Sequence, residues 1–442
     1  MTAAAGSGVG PARAAPIDLA ARRLVLRTLA HIGAGELILV EGSTRHRFGS
    51  GGDAVWLRAT VLVHSPHFYR GLLGGSLGAA RSYIAGDWDC DDLVALTRIA
   101  SLNMDAIDRW GRRAAPLVDP ARRAVRWFGR NTRRRSRANI SRHYDLSNDL
   151  FALMLDDTMA YSCALFESPT ASLRDASVAK FERVCDKLDL GPGDEVLEIG
   201  GGWGGFAIHA ATRYGCRVTT TTVSREQHRL ATERVRVAGL ADRVTVLLSD
   251  YRDLHGRFDK LVSIEMIEAV GWQYFDAFFG RCSRLLRPNG AMLVQAITIA
   301  HRLYLSGRSS AGFTNTVIFP GGCLPSVEAM VASTARVTDL RLVHLEDITP
   351  HYPETLRWWR ENLVARREAV MSLGFDERFW RTWMLYLSYC EGAFRERRIH
   401  DVQLLFAKPG FRAERRPVRP PRDGRSVVAT EDDRLAAGAA TG

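Results

Sequence analysis

The stretch Glu195-Val-Leu-Glu-Ile-Gly-Gly-Gly-Trp-Gly-Gly205 decides the fold. A short apolar run ends in an acid and then in glycines. That pattern is a buried strand turning sharply into a helix, with backbone free to approach a ligand closely. Glu198 stands near the strand tip, where a carboxylate can orient the charged or hydroxylated end of a ligand. Nucleotide folds of many kinds use glycines in this way. The spacing here departs from the Gly-x-Gly-x-x-Gly pyrophosphate loop, however, and no Gly-Lys-Ser/Thr follows it.

Outward from this turn the chain alternates strand and helix. Strands are predicted at 195–199, 217–223, 244–250, 258–266, 291–299, 340–349 and 401–408, and a helix at 224–238. Most of the strand runs have the β-branched content and length of buried parallel strands. The expectation is a doubly wound α/β sheet of about seven strands over 139–412. Residues 352–394 read as helical and crowded with aromatics, mostly core, some able to line an apolar tunnel. Upstream, a helix at 17–32, strands at 37–41 and 54–63 about a Gly-rich turn at 49–52, and a further helical stretch suggest a smaller α+β domain over 17–121. Residues 1–16 and 413–442 are Ala/Gly-rich or Arg/Pro-rich and are expected to be disordered.

Composition bounds the partners. A formal net charge of +11 favours anionic surfaces, either nucleic acid or an acidic membrane. The charge concentrates in a basic linker at 122–138 that holds eight arginines and no acid, with Trp127 and Phe128 among them. A solvated linker explains this run, and so does contact with lipid phosphates, the two rings dipping into the interface. No nucleic-acid motif accompanies it, so no nucleic-acid partner is expected. Seven scattered cysteines form no Cys-x-x-Cys or His/Cys cluster, so they read as reduced thiols in a cytoplasmic protein and no metal site is expected. No run is apolar for long enough to span a bilayer.

Ligands of open α/β sheets bind past the carboxyl ends of the strands. Acid-x-Gly-x-Gly after a strand is the pattern of S-adenosylmethionine binders. After the second strand stand Thr222 and Gln227, able to make neutral hydrogen bonds to ribose hydroxyls. After the third come Asp250 and Tyr251, placed to hold an adenine amine, although Asp250 also suits a helix N-cap. After the fourth comes Glu265-Met-Ile-Glu268-Ala-Val-Gly271, and after the fifth Gln295-Ala-Ile297. His143-Tyr-Asp-Leu-Ser-Asn148 and Tyr161-Ser162-Cys163-Ala precede the sheet, where they could fold back as a lid. Cys163 reads as a packing cysteine, with no histidine paired to it in sequence.

These blocks, with Gly75-Ser-Leu-Gly78, Ser82-Tyr-x-x-Gly86-x-Trp88, Phe319-Pro-Gly-Gly-Cys-Leu-Pro325 and His351-Tyr352-x-x-Thr355-Leu356, resemble the cyclopropane fatty-acid synthase family of lipid methyltransferases over roughly 70–410. The resemblance implies a class I methyltransferase Rossmann-like fold with a helical lid. It implies S-adenosylmethionine as cofactor, held at Tyr161, Ser162, Glu198, Gly200, Gly202, Thr222, Gln227, Asp250 and Tyr251. It implies a bicarbonate ion as general base, held by Cys163, Glu268, Gln295, the backbone near Ile297, and Tyr352. The implied substrate is an unsaturated phospholipid at the inner face of the membrane, with the protein peripheral there and the 17–121 domain lipid-associated.

The expected product is a cyclopropane fatty acid, formed from a carbocation at the methylated double bond. A 10-methylene fatty acid, passed to a separate reductase, is the alternative, and a small-molecule methyltransferase is a further one. A homodimer is a further expectation. Two departures stand out: many family members carry histidine where Gln295 and Ala269 stand here. Replacing the arginines of 122–137 by serine is expected to weaken co-sedimentation with anionic vesicles. Salt-independent binding of the unaltered protein would contradict an electrostatic role.

Overall fold

Two patterns of hydrophobicity give two sheets. The computed structural model describes residues 15–51, 57–104, 147–308 and 310–412. Near the start, β1 (Gly35–Glu41), β2 (Thr44–Gly51), β3 (Arg58–Val63) and β4 (Trp88–Cys90) form a sheet in the order β2-β1-β3-β4. The second sheet holds β5 (Glu195–Ile199), β6 (Arg217–Thr222), β7 (Val244–Leu248), β8 (Phe258–Ile264), β9 (Leu286–Ile299), β10 (Arg341–Asp347) and β11 (Ile399–Ala407), in the order β10-β11-β9-β8-β5-β6-β7. The neighbours from β9 through β8, β5 and β6 to β7 are parallel, whereas β11 runs antiparallel to both β9 and β10. All seven expected strands are present, and the reversed pair makes the sheet mixed.

The continuous apolar runs are explained by burial on both faces. Val196, Val262, Leu293 and Leu405 pack on one side, against Phe181, Val184 and Leu188 of the helix Leu173–Leu188 and Phe206 and Ala210 of the helix Gly205–Tyr214. Their chain neighbours Leu197, Leu261, Met292, Val294, Leu404 and Phe406 pack on the other, against Phe278, Phe279 and Cys282 of the helix Phe275–Leu285. Alternate residues serve opposite faces, so no polar alternation survives in the sequence. The helix expected at 224–238 is observed as Arg225–Val237, with the Ser224 side chain accepting from the Gln227 amide as its N-cap. All seven cysteines are free thiols.

Several expectations change. The turn expected at 49–52 is instead, through Gly51, the end of β2, which pairs antiparallel with β1. This edge strand reads Thr-Arg-His-Arg-Phe-Gly-Ser-Gly; its backbone pairs with β1 while Arg47 pairs with Glu36 and His46 bonds Glu41, so it carries little hydrophobic signal. The strand expected from residue 54 is described from Arg58. Ala15 and Pro16, counted with a disordered start, are the N-cap and first residue of the helix Pro16–Leu29. The aromatic stretch 352–394 divides into Tyr352–Ala365, Arg367–Ser372 and Glu377–Arg395, broken at Gly374, which has φ +92°. The expectations for the first fourteen residues, the basic linker, His143 to Leu146 and the tail from 413 lie outside the described residues.

The helix Glu377–Arg395 packs against the first sheet's helices. Arg381 donates to the carbonyls of Tyr83 (2.7 Å) and Trp88 (2.8 Å) and to the Asp89 carboxylate (2.7 Å), with its guanidinium 4.0 Å from the Tyr83 ring centroid. One turn from its end, Gly392 lies against the helix Leu93–Leu102. A Cβ there would meet Thr97 Cβ at 2.7 Å and the Arg98 nitrogen at 3.2 Å. Gly392→Ala gains about 1 kcal/mol of helix propensity, but overpacking against rigid atoms costs about 1–3 kcal/mol. The variant is expected to melt below the unaltered protein, and an unchanged or higher thermal midpoint would contradict this contact.

Candidate active site

The glycines after β5 are forced by close approach. Gly200 (φ +88°) and Gly202 (φ +54°) adopt left-handed backbone, and a Cβ on Gly201 would fall 1.8 Å from the Thr220 hydroxyl. The loop therefore lies flat over the strand tips and leaves a cavity above them. Tyr161, Ser162, Glu198, Gly200, Gly202, Thr222, Gln227, Asp250 and Tyr251, the nine expected cofactor positions, all line that cavity. The Thr222 hydroxyl donates to the Gln227 side-chain oxygen at 2.7 Å, which fixes that pair. Asp250 accepts from the Arg252 amide and guanidinium and caps a short turn, so its N-cap reading is realised. Glu198 accepts from Thr220 at 2.6 Å, and burial pushes its carboxyl up to about 7.

Ser147 and Asn148 show how the upstream block reaches this loop. Ser147 caps the helix Asn148–Met154, and the Asn148 side-chain oxygen accepts from the Trp203 indole of the glycine loop at 2.7 Å. The next block, Tyr161 to Ala164 and onward, is pinned by His351 and Thr355. The amide of Ala164 donates to the Thr355 hydroxyl (3.1 Å) and that of Phe166 to His351 Nδ1 (3.2 Å). His351, Tyr352 and Thr355 lie on one face at the start of a helix, which explains their spacing.

The expected catalytic residues converge, but on a residue the sequence reading quoted without assigning. Cys163 donates its backbone N–H to Glu265 Oε1 (2.8 Å), Gln295 donates its amide to the same oxygen (2.8 Å), and the Tyr352 hydroxyl donates to Glu265 Oε2 (2.5 Å). Ile297 donates its backbone N–H to Glu268 Oε1 (2.6 Å), and Glu268 Oε2 is buried without a hydrogen-bond partner. Gln295 also donates to Asp401 (2.9 Å) and accepts from Gln403 (3.0 Å). Asp401 and Lys180 are the other members of the site absent from the sequence reading. Lys180 is buried and donates to Ser162 at 2.8 Å.

Three acids this close in a dry region do not all ionise. Burial and the Glu265 charge push Glu268 up to about 8, and the same causes hold Asp401 well above the usual carboxylate range. Glu265 is also raised by burial, but its three donors and the Lys180 ammonium favour its charged form. Of the three acids, Glu265 is the one whose hydrogen-bond donors most favour the charged form. Burial holds the Cys163 thiol well above its ordinary value, which makes it inert, as the sequence suggested; its contribution is its amide. The nearby rings include Tyr161 against Trp359 (centroids 5.1 Å), Phe319 against Tyr386 (5.8 Å) and Tyr352 stacked on Phe394 (4.2 Å).

Residues 131–404 match the family described as mycolic acid cyclopropane synthetase. The chain is 38% identical over 414 residues to the tuberculostearic acid methyltransferase UfaA1 of Mycobacterium tuberculosis, covering 91% of this chain and 93% of that one. It is 36% identical over 353 residues to the cyclopropane-fatty-acyl-phospholipid synthase of Escherichia coli, covering 79% and 88%. Among solved structures, the cyclopropane synthase MmaA2 from Mycobacterium tuberculosis superposes with a TM-score of 0.58 at 31% identity, covering 62% of this chain and 98% of that one. The mycolic acid cyclopropane synthase CmaA1 complexed with SAH and CTAB gives 0.57 at 33%, with the same coverage. The glycine loop, the cavity above it and these matches together make the chain a member of the mycolic acid cyclopropane synthetase family, an S-adenosylmethionine-dependent methyltransferase.

Proposed function

We propose that the protein adds a methyl carbon to the cis double bond of an unsaturated phospholipid acyl chain. The observation that carries this reading is a cofactor cavity that reaches the buried, hydrogen-bonded Glu265, with Gln295 and Asp401 behind it and paired aromatic rings nearby. A heteroatom acceptor needs a base aimed at its own proton, whereas an alkene needs a dry, cation-tolerant enclosure. Bound S-adenosylmethionine supplies an electrophilic methyl carbon. The Gly200–Gly202 backbone, Thr222 and Gln227 hold it, with Glu198, Asp250, Tyr251, Tyr161 and Ser162 around it. The enclosure aligns the alkene with that carbon, and the ring faces stabilise the cation while water is excluded.

Two products follow from the same cation. A hydride shift and proton loss give a 10-methylene chain, the outcome favoured by the UfaA1 match, which runs over nine-tenths of both chains. That alkene then requires a separate reductase to become a methyl branch. Direct ring closure gives a cyclopropane, the outcome favoured by the Escherichia coli match. The acyl chain reaches the site from the membrane surface, to which the +11 charge and the basic linker attract the protein. Among the described residues no helix is long and apolar enough to cross a membrane.

A bicarbonate base, which the family resemblance implies, does not fit these residues as they stand. Its donors at Cys163, Gln295 and Tyr352 all point at Glu265, and the Ile297 amide points at Glu268.

The test is incubation with labelled S-adenosylmethionine and either dioleoyl phosphatidylglycerol vesicles or water-soluble amines and alcohols. Label in the fatty acids supports the proposal, and proton NMR separates vinylidene from cyclopropyl hydrogens. Label only in the soluble acceptors would sink it. A second expectation concerns Glu268. Its folded pKa of about 8 lies above the unfolded value, so the folded state binds the extra proton. That contribution is fully present below about pH 4 and is lost as pH rises through about 8. Glu268→Gln should flatten the decline in urea-unfolding free energy between about pH 5 and about pH 9; equal slopes in the two proteins would contradict the protonated assignment.

A further inference from the structure

We propose that the Glu265 carboxylate is itself the base of the reaction, filling as part of the chain the cradle that a free bicarbonate would occupy. The inference rests on the alkene-methylation reading above and gives one residue the proton-accepting step.

Geometry carries it. A bicarbonate and a carboxylate present the same planar pair of oxygens. The cradle for such a pair is built from the Cys163 amide, the Gln295 side-chain amide and the Tyr352 hydroxyl, at 2.8, 2.8 and 2.5 Å from the Glu265 oxygens. Of the three clustered acids, Glu265 alone lines the cavity above the cofactor loop, together with Met266 from its own chain turn. Its backbone explains how it gets there. Glu265 has φ +49°, one residue beyond β8, while its amide still donates to the Gln295 carbonyl at 2.9 Å. A non-glycine residue in this left-handed region is uncommon, and the conformation turns the side chain from the strand tip into the site.

The groups facing it from each packed element fit a single ionised base. Lys180 comes from the helix Leu173–Leu188, Asp401 from β11, Tyr352 from the helix Tyr352–Ala365, and Glu268 from the turn after β8. Glu268 and Asp401 do not line the cavity, and burial favours the neutral form of each.

The step balances as follows. The alkene π pair forms a bond to the cofactor's methyl carbon, and the sulfur–carbon pair stays with sulfur. The remaining alkene carbon becomes the cation. A C–H bond of the added methyl then breaks, and its proton goes to Glu265. Its electron pair either closes the three-membered ring or, after a hydride has moved from the methyl-bearing carbon to its cationic neighbour, forms the exocyclic double bond. Both outcomes remove a proton from the same carbon, so one base beside the methyl donor serves either. The neutral Glu265 returns its proton to water once the product has left.

The test uses the full chain in bicarbonate-free buffer with unsaturated vesicles. The unaltered protein is expected to turn over at the same rate with and without added bicarbonate; activity that depends on bicarbonate would overturn the proposal. Glu265→Gly suits the positive φ, and although the emptied donors lower its melting temperature it should remain folded and keep calorimetric S-adenosylmethionine binding. Its turnover should fall by about 10²–10⁴-fold and recover saturably with added bicarbonate or formate. Full turnover by this variant without either anion would refute the assignment. Glu265→Gln keeps the cradle filled, so it should lose turnover without rescue, and a fully active Gln variant would also refute it. If the unaltered protein labels no lipid, the alkene reading fails by itself. The cradle is then judged by carbon-13 NMR of labelled bicarbonate. A bound signal in Glu265→Gly and none in the unaltered protein supports the cradle, and the reverse pattern overturns it.

Discussion

A carboxylate held away from water stays charged only if hydrogen bonds surround it, and Glu265 meets that condition with donors from three distant parts of the chain. Cys163 belongs to the loop before the sheet, Gln295 to β9 and Tyr352 to the helix after β10. Lys180 supplies the countercharge from the helix Leu173–Leu188. Removing any one donor leaves the others organised around a poorly satisfied charge. The fold and the chemistry are thus coupled at one side chain: the groups that hold Glu265 fix a residue that lines the cofactor cavity.

The reversed strand β11 is part of that closure. Its antiparallel register with β9 places Asp401 opposite Ile297 and Gln403 opposite Gln295. Both new neighbours bond to the Gln295 side chain, one as acceptor and one as donor. A parallel strand in this position would need a crossover and would shift these pairings. The helix Glu377–Arg395 leads directly into β11 and carries Arg381, the residue that grips the first sheet through Tyr83, Trp88 and Asp89. The enclosure of the site and the packing of the first sheet's helices therefore share one continuous segment.

The seven strands of the large sheet were legible because runs such as Glu195–Ile199 are short, mostly apolar and bounded by turns. The extra length of β9 was not, since Arg287-Pro-Asn-Gly290 reads as a turn by composition. β2 was missed because its side chains are mostly polar, Arg47 facing Glu36 and His46 facing Glu41, while its backbone pairs with β1. At the site, Thr222, Gln227, Asp250 and Tyr251 followed from the rule that ligands sit at strand tips, whereas Tyr161 and Ser162 came from the family resemblance. Glu265 stands at such a tip too, and that rule was the signal available for it. What hid its role was tertiary: nothing local in Glu265-Met-Ile-Glu268 says which acid will meet donors over a hundred residues upstream and almost ninety downstream. Lys180, on an otherwise ordinary amphipathic helix, gave no local signal at all.

The departure at position 295 gains a physical reason from Glu265. Many relatives, by the family resemblance, have histidine where this chain has glutamine. Here the side chain must give one hydrogen to Glu265 and one to Asp401 while accepting from Gln403. A primary amide does all three without charge. A neutral imidazole has one donor and would leave an acid unserved. An imidazolium has two donors but cannot accept, and it would bring a second cation beside Lys180 and the developing carbocation. A built-in carboxylate at 265 and a neutral double donor at 295 are therefore matched choices: each removes the reason for the other's alternative.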